Sequence, residues 1–349
     1  MSRRRLLLAG AATLALPRVV AADALAPPAA RPLPARLLPV PQTVSPQLQE
    51  RIAAPYPPGW DSVPADAAAW RKLQADSAAA VLPHLPALKE RLGIDVAPAT
   101  IAGVPVFAIT PRDVPPANRD RLLVHVHGGG YVLYPGEAGA GEAMLLAGQA
   151  RIPAVSVDYR MPPDHPFPAA LDDAIAVWRE LARQRDPRRL AIVGSSAGGG
   201  LTLAMILQAK ALGLPLPAAI AAGTPWADLT NAGDSLHANA YVDNELVAAT
   251  GWIAAAARLY AAGRDLRDPL VSPLHGDFAG FPPAIVTSGT RDLLLSQAVL
   301  VHRKLRRAGV DAALQVFEGQ SHAQYLAPFV PESEEALGEI AGFLTSRMS

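Results

Sequence analysis

The chain has 349 residues, half of them hydrophobic, which is enough for one large α/β domain or two smaller ones. Its 31 basic and 31 acidic residues balance, and beyond the first five residues the Lys/Arg-rich stretch around His302 lies in a predicted helix, so nothing favours a nucleic-acid partner. The absence of cysteine excludes disulfides, a catalytic thiol, a cysteine-ligated metal and lipid attachment through cysteine.

The first 24 residues have the pattern of an export signal. Ser2-Arg3-Arg4-Arg5-Leu6-Leu7 resembles the twin-arginine motif, an apolar run extends to Pro17, and Ala22-Asp23-Ala24 fits an A-x-A cleavage site. The apolar run is too short to span a bilayer comfortably. We therefore expect residues 1–24 to direct export to the periplasm or the medium, leaving a mature chain without a stable membrane span. A retained or disordered N-terminal tail is the alternative.

Two segments separate this signal from the part of the chain with regular alternation. Residues 25–46 hold seven prolines, which predicts an extended spacer. Residues 47–97 are predicted to be helical in pieces, because further prolines interrupt the helical pattern.

From residue 98 to residue 349, strand and helix patterns alternate. Strands are predicted at 104–110, 122–127, 154–159, 189–193, 218–223, 283–288 and 312–317. Helices are predicted at 138–150, 168–184, 197–212, 249–262, 296–308 and 332–346. This alternation predicts an α/β domain with a mostly parallel sheet and helices on both faces. In such sheets, ligands bind beyond the carboxyl ends of the strands.

Gly194-Ser195-Ser196-Ala197-Gly198 fits the pattern G-x-S-x-G between a predicted strand and a predicted helix. A tight turn there would expose the Ser196 hydroxyl above the sheet and direct free helix N–H groups toward a reacting carbonyl. The alternative, a phosphate-binding loop, lacks the lysine of a P-loop and the spacing of G-x-G-x-x-G. Ser196 is therefore the candidate nucleophile.

A serine hydroxyl needs a base, and the base needs an acid to orient it. Of the eight histidines, His322 is the candidate base, because it lies in a polar loop between the last strand and the last helix. The acid should lie between Ser196 and His322 in the chain. Asp292 follows a predicted strand and is favoured, with Asp228 and Asp268 as alternatives that local turns could also explain.

His127-Gly128-Gly129-Gly130 provides a loop in which backbone N–H groups can reach a developing oxyanion without obstruction by side chains. Gly128 and Gly129 are the expected donors, together with the N–H of Ala197, and His127 is expected to brace the loop. His125-x-His127 has no apparent third ligand, so we expect no metal site.

The ordered motifs resemble those of the hormone-sensitive-lipase-like bacterial esterases of the α/β-hydrolase superfamily. The motifs that carry the resemblance are His127–Tyr131, Asp158–Arg160, His165–Ala170, Gly194–Gly199, Asp268–Leu270, Ser288–Asp292 and Ser321–His322. The resemblance implies an α/β-hydrolase fold and the triad Ser196, Asp292 and His322. It also implies a cap formed by the N-terminal helices and a segment near 230–255. Known members hydrolyse short- to medium-chain esters, some of them lactones, without a cofactor.

Three positions depart from the family pattern. Ser195 stands where Asp or Thr is frequent, Asp164 stands where Glu is usual, and Ala323-Gln324-Tyr325 follows the histidine where an apolar residue is common two positions on. The departures around Ser195 and residues 323–325 concern pocket details and subfamily rather than the triad.

These observations predict a serine hydrolase that cleaves small carboxylic esters through an acyl-enzyme on Ser196. Trp60, Trp70 and Tyr131 are candidates for an apolar acyl pocket, together with Leu246 and Val247. The alternatives are a lactonase, a carbohydrate acetylesterase or an amidase on the same triad, a peptidase, or a non-catalytic binding module on this fold. The sequence leaves a monomer and a homodimer both open.

Overall fold

The computed structural model describes Ala30 and residues 32–349. The expected export signal and the first residues of the expected spacer lie outside the described residues. Up to Leu38, the described residues contain no helix or strand, and Pro39–Ser349 form one compact unit. None of the described helices combines the length and the apolar character needed to cross a bilayer.

Within residues 32–349, eight strands form a single sheet in the order β1-β2-β4-β3-β5-β6-β7-β8. The strands are β1 (Ile94–Ile101), β2 (Val104–Pro111), β3 (Leu122–Val126), β4 (Ala154–Val157), β5 (Leu190–Ser195), β6 (Ala219–Gly223), β7 (Ala284–Gly289) and β8 (Ala312–Phe317). β2 is antiparallel to both β1 and β4, and all other neighbours are parallel. The predicted mostly parallel sheet is confirmed, with all seven predicted strands present.

The eighth strand, β1, was not predicted. It is an edge strand whose residues are mostly exposed, and it contains Pro98, so it has no continuous apolar run. Ala102 and Gly103, both with positive φ, make the two-residue turn that folds β1 against β2. The predicted boundary between residues 97 and 98 falls inside this strand.

In the described part of the chain, ten α-helices accompany the sheet. They are α1 (Pro46–Ala53), α2 (Ala67–Val81), α3 (Leu85–Leu92), α4 (Gly141–Ala150), α5 (Ala169–Gln184), α6 (Ala197–Ala211), α7 (Ser235–Ala238), α8 (Gly251–Ala261), α9 (Leu295–Arg307) and α10 (Pro331–Thr345). One apolar core packs α5, α6, α8 and α9 against the sheet, and a second packs α3, α4 and α10. Both faces of the sheet are therefore covered, as the alternating pattern predicts.

The N-terminal helices begin at side-chain caps. The Ser45 hydroxyl accepts from the N–H of Leu48 at 3.2 Å, and Asp66 accepts from the N–H of Ala69 at 2.8 Å. Ser45 also donates its N–H and its hydroxyl to the carboxylate of Glu332, at 2.6 and 2.7 Å. These bonds join the start of α1 to α10, so the first helix is tied to the body of the domain.

Candidate active site

Ser196 lies in a strained turn at the carboxyl end of β5. Its backbone has φ 58° and ψ −123°, and α6 begins at the next residue. Such a conformation is unfavourable for a residue with a side chain and persists only where the surroundings hold it. The N–H of Ser196 donates to the carbonyl of Gly223 at 2.8 Å, and its carbonyl accepts from the N–H of Trp226 at 2.8 Å. The turn therefore has the geometry of a nucleophile elbow.

The elbow packs directly against the end of β3. A Cβ at Gly198 would lie 2.1 Å from the carbonyl oxygen of Val126, and one at Gly194 would lie 2.4 Å from the same oxygen. Only glycine fits at these two positions, because backbone atoms cannot move aside as a flexible side chain could. This close approach brings the loop that begins at His127 next to Ser196.

Replacing Gly198 with alanine should therefore destabilise the fold by about 1–3 kcal/mol, the usual cost of overpacking, and should lower any turnover that depends on Ser196. Gly342 in α10 is a matched control, since a Cβ there would meet nothing within 4 Å. Gly342→Ala should be neutral or stabilising by about 0.5–1 kcal/mol. Urea unfolding measures both variants, and equal stability of Gly198→Ala and the wild type would contradict the packing argument.

The structure brings the three predicted triad residues together. The Ser196 hydroxyl lies 2.9 Å from Nε2 of His322, and Nδ1 of His322 lies 3.0 Å from Oδ1 of Asp292. Asp292 is fully buried, and its Oδ2 accepts from the hydroxyl of Ser288 at 2.5 Å. The N–H of Leu294 donates to its Oδ1 at 2.8 Å. The acid is thus held in place from two sides.

The two alternative acids lie elsewhere. Asp228 is buried, but its Oδ1 accepts from the N–H and the hydroxyl of Thr230, at 2.9 and 2.7 Å. Asp268 accepts from the N–H of Leu270 at 2.9 Å. Within the described residues, neither is hydrogen-bonded to His322, and both stabilise local turns.

Neighbouring carboxylates control the charge of His322. Burial alone would lower its pKa, but Asp292, Asp243 and Glu245 outweigh that effect and raise the pKa above the ordinary 6.5. The imidazolium form is therefore stabilised, and more alkaline solution is needed to obtain the neutral ring.

This shift sets the pH dependence of any reaction that uses His322 as a base. The ring must be neutral to accept a proton, so kcat/KM should fall on acidification, with a midpoint above the ordinary histidine value of 6.5. Measuring kcat/KM between about pH 5 and pH 9 tests this. A midpoint clearly below that ordinary value would contradict the electrostatic account.

The loop after β3 is braced by His127, as expected. Burial lowers the pKa of His127 to about 4, so the ring is neutral, and its Nδ1 donates to the carbonyl of Gly128 at 2.8 Å. The ring stacks on Tyr159 with the centroids 4.1 Å apart. Within the described chain, no acceptor is found for the N–H of Gly128, Gly129 or Ala197. These three predicted donors are therefore unpaired within the described chain.

A buried polar cluster beneath the nucleophile was not predicted. Ser195 donates its hydroxyl to Glu142 at 2.5 Å and is also hydrogen-bonded to the hydroxyl of Tyr325. Glu142 lies 3.2 Å from Nε2 of His125, whose Nδ1 lies 2.9 Å from the hydroxyl of Ser156. Ser195, which departs from the family pattern, thus contacts Tyr325, the neighbour of the departing Gln324, and the departure at Ser195 is the signal that could have drawn attention to the cluster.

His125 belongs to this cluster. Across Ala30 and residues 32–349, no group of three or more His, Asp or Glu side chains is placed to hold a metal ion. Asp164, which also departs from the family pattern, lies on the surface, where its carboxylate pairs with Nη2 of Arg71 in α2 at 2.6 Å.

A cavity of about 840 Å³ opens above Ser196 and His322. Its walls come from four parts of the chain: the N-terminal segment, the loop after β3 with the start of α4, the segment before and at the start of α8, and residues 322–327 after β8. Lining side chains include Trp60, Leu73, Val81, Leu133, Leu246, Trp252 and Ile253. The implied cap segments, N-terminal and near 230–255, both contribute to these walls.

Of the three aromatic candidates, only Trp60 lines the cavity. Trp70 packs with Val132, Leu133 and other apolar side chains in a separate cluster. Tyr131 has φ 64° and stacks on Tyr260, with ring centroids 3.7 Å apart. Both side chains are core residues, and so is Val247, which is fully buried outside the cavity lining.

Comparison with known proteins agrees with the α/β-hydrolase fold expected from the sequence. A family model described as alpha/beta hydrolase fold matches residues 123–326. An acetyl-hydrolase of Streptomyces hygroscopicus is 35% identical over 242 residues, which cover 68% of this chain and 80% of that protein. An esterase of Acinetobacter venetianus is 30% identical over 257 residues, which cover 72% and 82%.

Two solved structures are similar over most of their length. The esterase E25 is 40% identical, with a TM-score of 0.88, and the match covers 92% of this chain and 99% of E25. An esterase from the bacterial hormone-sensitive lipase family is 31% identical, with a TM-score of 0.70, and the match covers 86% and 95%. The chain therefore belongs to the alpha/beta hydrolase fold family and, within it, to the hormone-sensitive-lipase-like bacterial esterases.

Proposed function

We propose that the protein is a serine hydrolase that cleaves carboxylic esters through an acyl-enzyme on Ser196. The observation that carries this proposal is the chain of hydrogen bonds from Ser196 to His322 at 2.9 Å and from His322 to Asp292 at 3.0 Å. Such a chain converts a poor nucleophile into a reactive one, because the base removes the proton as the hydroxyl attacks. The esterase names of its relatives agree with this chemistry.

In the first half of the reaction, Nε2 of His322 accepts the proton of Ser196 while Oγ attacks the ester carbonyl. Negative charge develops on the carbonyl oxygen, where the N–H groups of Gly128, Gly129 and Ala197 stabilise it. Asp292 holds the imidazole in position and stabilises its positive charge. The carbonyl then re-forms, the ester bond breaks, and the alcohol leaves with the proton from His322.

The second half uses the same groups. His322 removes a proton from a water molecule, the resulting hydroxide attacks the acyl carbon, and the oxyanion returns to the same N–H groups. When the bond to Ser196 breaks, His322 returns the proton to the serine hydroxyl. The acid product leaves, and the chain is restored to its starting state.

The substrates are small esters with short- to medium-chain acyl groups. Each buried CH₂ contributes about 0.8 kcal/mol of binding free energy, and the apolar walls at Trp60, Leu73 and Ile253 surround a cavity of about 840 Å³ above Ser196. A lactone or a carbohydrate acetate presents the same carbonyl to the same groups, so these remain the alternatives within this chemistry.

A series of p-nitrophenyl esters from acetate to decanoate, together with a lactone, an acetylated sugar and an anilide, tests the proposal. We expect saturable ester hydrolysis that is greatest with the shorter acyl chains and declines with the longest ones. Turnover of the lactone or the acetylated sugar far above that of every simple ester would favour the alternative. Ester hydrolysis no faster than the buffer rate would overturn the proposal.

We also propose export across the cytoplasmic membrane, on the sequence pattern of residues 1–24 alone. Sequencing the N-terminus of protein from the periplasm and the medium tests this. We expect a mature chain that begins near Leu25, and an intact Met1 in those fractions would contradict cleavage.

A further inference from the structure

Asp243 is a buried carboxylate beside the triad that no sequence motif identifies. It lies in the segment between α7 and α8, and its exposed fraction is 0%. The same segment forms part of the cavity wall through Glu245 and Leu246. Its position therefore links the wall of the cavity to the groups that carry the proposed reaction.

The two oxygens of Asp243 join three separate segments. Oδ1 accepts from the N–H of Glu245 at 2.8 Å and from that of Leu246 at 3.1 Å. Oδ2 accepts from the N–H of Leu293 at 2.7 Å and from that of His322 at 3.2 Å. Leu293 follows the triad acid directly, so one carboxylate fixes the wall segment, the acid loop and the base loop relative to one another.

The charge of Asp243 has no arginine or lysine partner among the described residues, since its side-chain hydrogen bonds all come from backbone N–H groups. The titratable groups that act on it are His322 and Asp292. Burial raises the pKa of Asp243, His322 lowers it and Asp292 raises it, and the net result is a pKa of about 6.

The direction of this shift bears on the role of Asp243. A folded-state pKa above the ordinary value of 3.8 means that the ionised carboxylate costs stability. Its contribution to stability is present at low pH and is lost as the pH rises through about 6. Near neutral pH, the negative charge of Asp243 therefore opposes folding. The presence of a carboxylate at this position is then explained by a role in function rather than in stability.

Asn244, the next residue in the chain, also attaches the wall segment to the loop that carries His322. Asn244 receives hydrogen bonds on its Oδ1 from the hydroxyl of Ser321 at 2.8 Å and from Nε2 of Gln324 at 2.9 Å. Its Nδ2 donates to the carbonyl of Arg51 in α1 at 2.9 Å. The wall segment is thus attached to both sides of His322 in the chain and to the first helix.

We propose that Asp243 is a second carboxylate of this site, a positioning residue that holds the Asp292 and His322 loops together and stabilises the imidazolium formed during turnover. The proposal rests on the proposed function, because during turnover His322 becomes positively charged when it accepts the proton of Ser196 or of water. Asp243 acts on the substrate through His322 and does not contact the substrate itself.

The variant Asp243→Asn tests the proposal, because asparagine has nearly the same shape, no charge and one acceptor oxygen. We expect kcat to fall about tenfold to a hundredfold, as small displacements of reacting groups commonly produce, with KM nearly unchanged. The acidic limb of kcat/KM should move to lower pH by roughly one unit, the size of a neighbouring-charge effect on His322. Asp228→Asn is the matched control, since Asp228 is also a buried carboxylate in a turn and is not bonded to His322.

The pH profile separates this role from a purely structural one. If Asp243→Asn lowers only the melting temperature, with kcat and the acidic limb as in the wild type, the proposal is overturned. If Asp243→Asn does not fold, Asp243→Glu keeps the charge and displaces the carboxylate. We then expect a reduced kcat with an unchanged acidic limb, and a wild-type kcat would overturn the proposal. Failure of the proposed function would appear differently, as a lack of ester hydrolysis by the wild type.

Discussion

Replacing Ser196 with alanine is expected to lower kcat for ester hydrolysis by about 10⁴- to 10⁶-fold, the loss common when a serine nucleophile is removed. The hydroxyl that lies 2.9 Å from Nε2 of His322 would be absent, so no acyl-enzyme could form. The change removes one buried oxygen and leaves the cavity and the oxyanion N–H groups in place. Steady-state kinetics with a p-nitrophenyl ester measures the loss.

Two control measurements on Ser196→Ala are its thermal stability and its affinity for substrate. The melting temperature of Ser196→Ala should stay close to that of the wild type, because the elbow is held by backbone bonds to Gly223 and Trp226 that alanine also makes. Equilibrium binding of a short ester should likewise persist. Turnover within about tenfold of the wild type would refute Ser196 as the nucleophile.

Replacing Asp292 with asparagine is expected to reduce kcat by about 10³- to 10⁴-fold, as the loss of a triad carboxylate commonly does. An amide at this position removes the charge that stabilises the imidazolium and can hold the ring of His322 in the wrong tautomer. The activity should be sensitive to this substitution, because the carboxylate of Asp292 is fully buried and also accepts a hydrogen bond from the hydroxyl of Ser288.

Asp228→Asn is the matched comparison. Asp228 is one of the two alternative acids and is nearly as buried as Asp292, but its side-chain hydrogen bonds go to Thr230 in its own turn. We expect its kcat to stay within a few-fold of the wild type, while stability falls by about 1 kcal/mol, the usual net value of a hydrogen bond. A larger kinetic loss for Asp228→Asn than for Asp292→Asn would reverse the assignment.

The sequence predicted the parts of the fold that depend on local pattern. Buried strands are apolar runs, and the helices between them have their own periodicity, so the order of elements could be derived. Because β5, β7 and β8 are parallel, their carboxyl ends meet at one edge, and this is why Ser196, Asp292 and His322 come together.

The features that were not predicted depend on partners distant in the chain. Asp243 contacts residues 50 and 79 positions away, and Ser195 contacts Tyr325 at a separation of 130. Ser195 departs from the family pattern, but no local pattern shows which distant residues these side chains contact. Tyr131 shows the converse, since its place beside the glycine loop suggests a pocket residue, yet its positive φ accompanies a side chain stacked on Tyr260.

The most direct test of the central claim is covalent labelling with a serine-directed fluorophosphonate. We expect one label per chain on the tryptic peptide 190–210, at Ser196, with ester turnover lost in proportion to labelling and no label on Ser196→Ala. Label on a different residue, or full turnover by protein labelled at Ser196, would contradict the account.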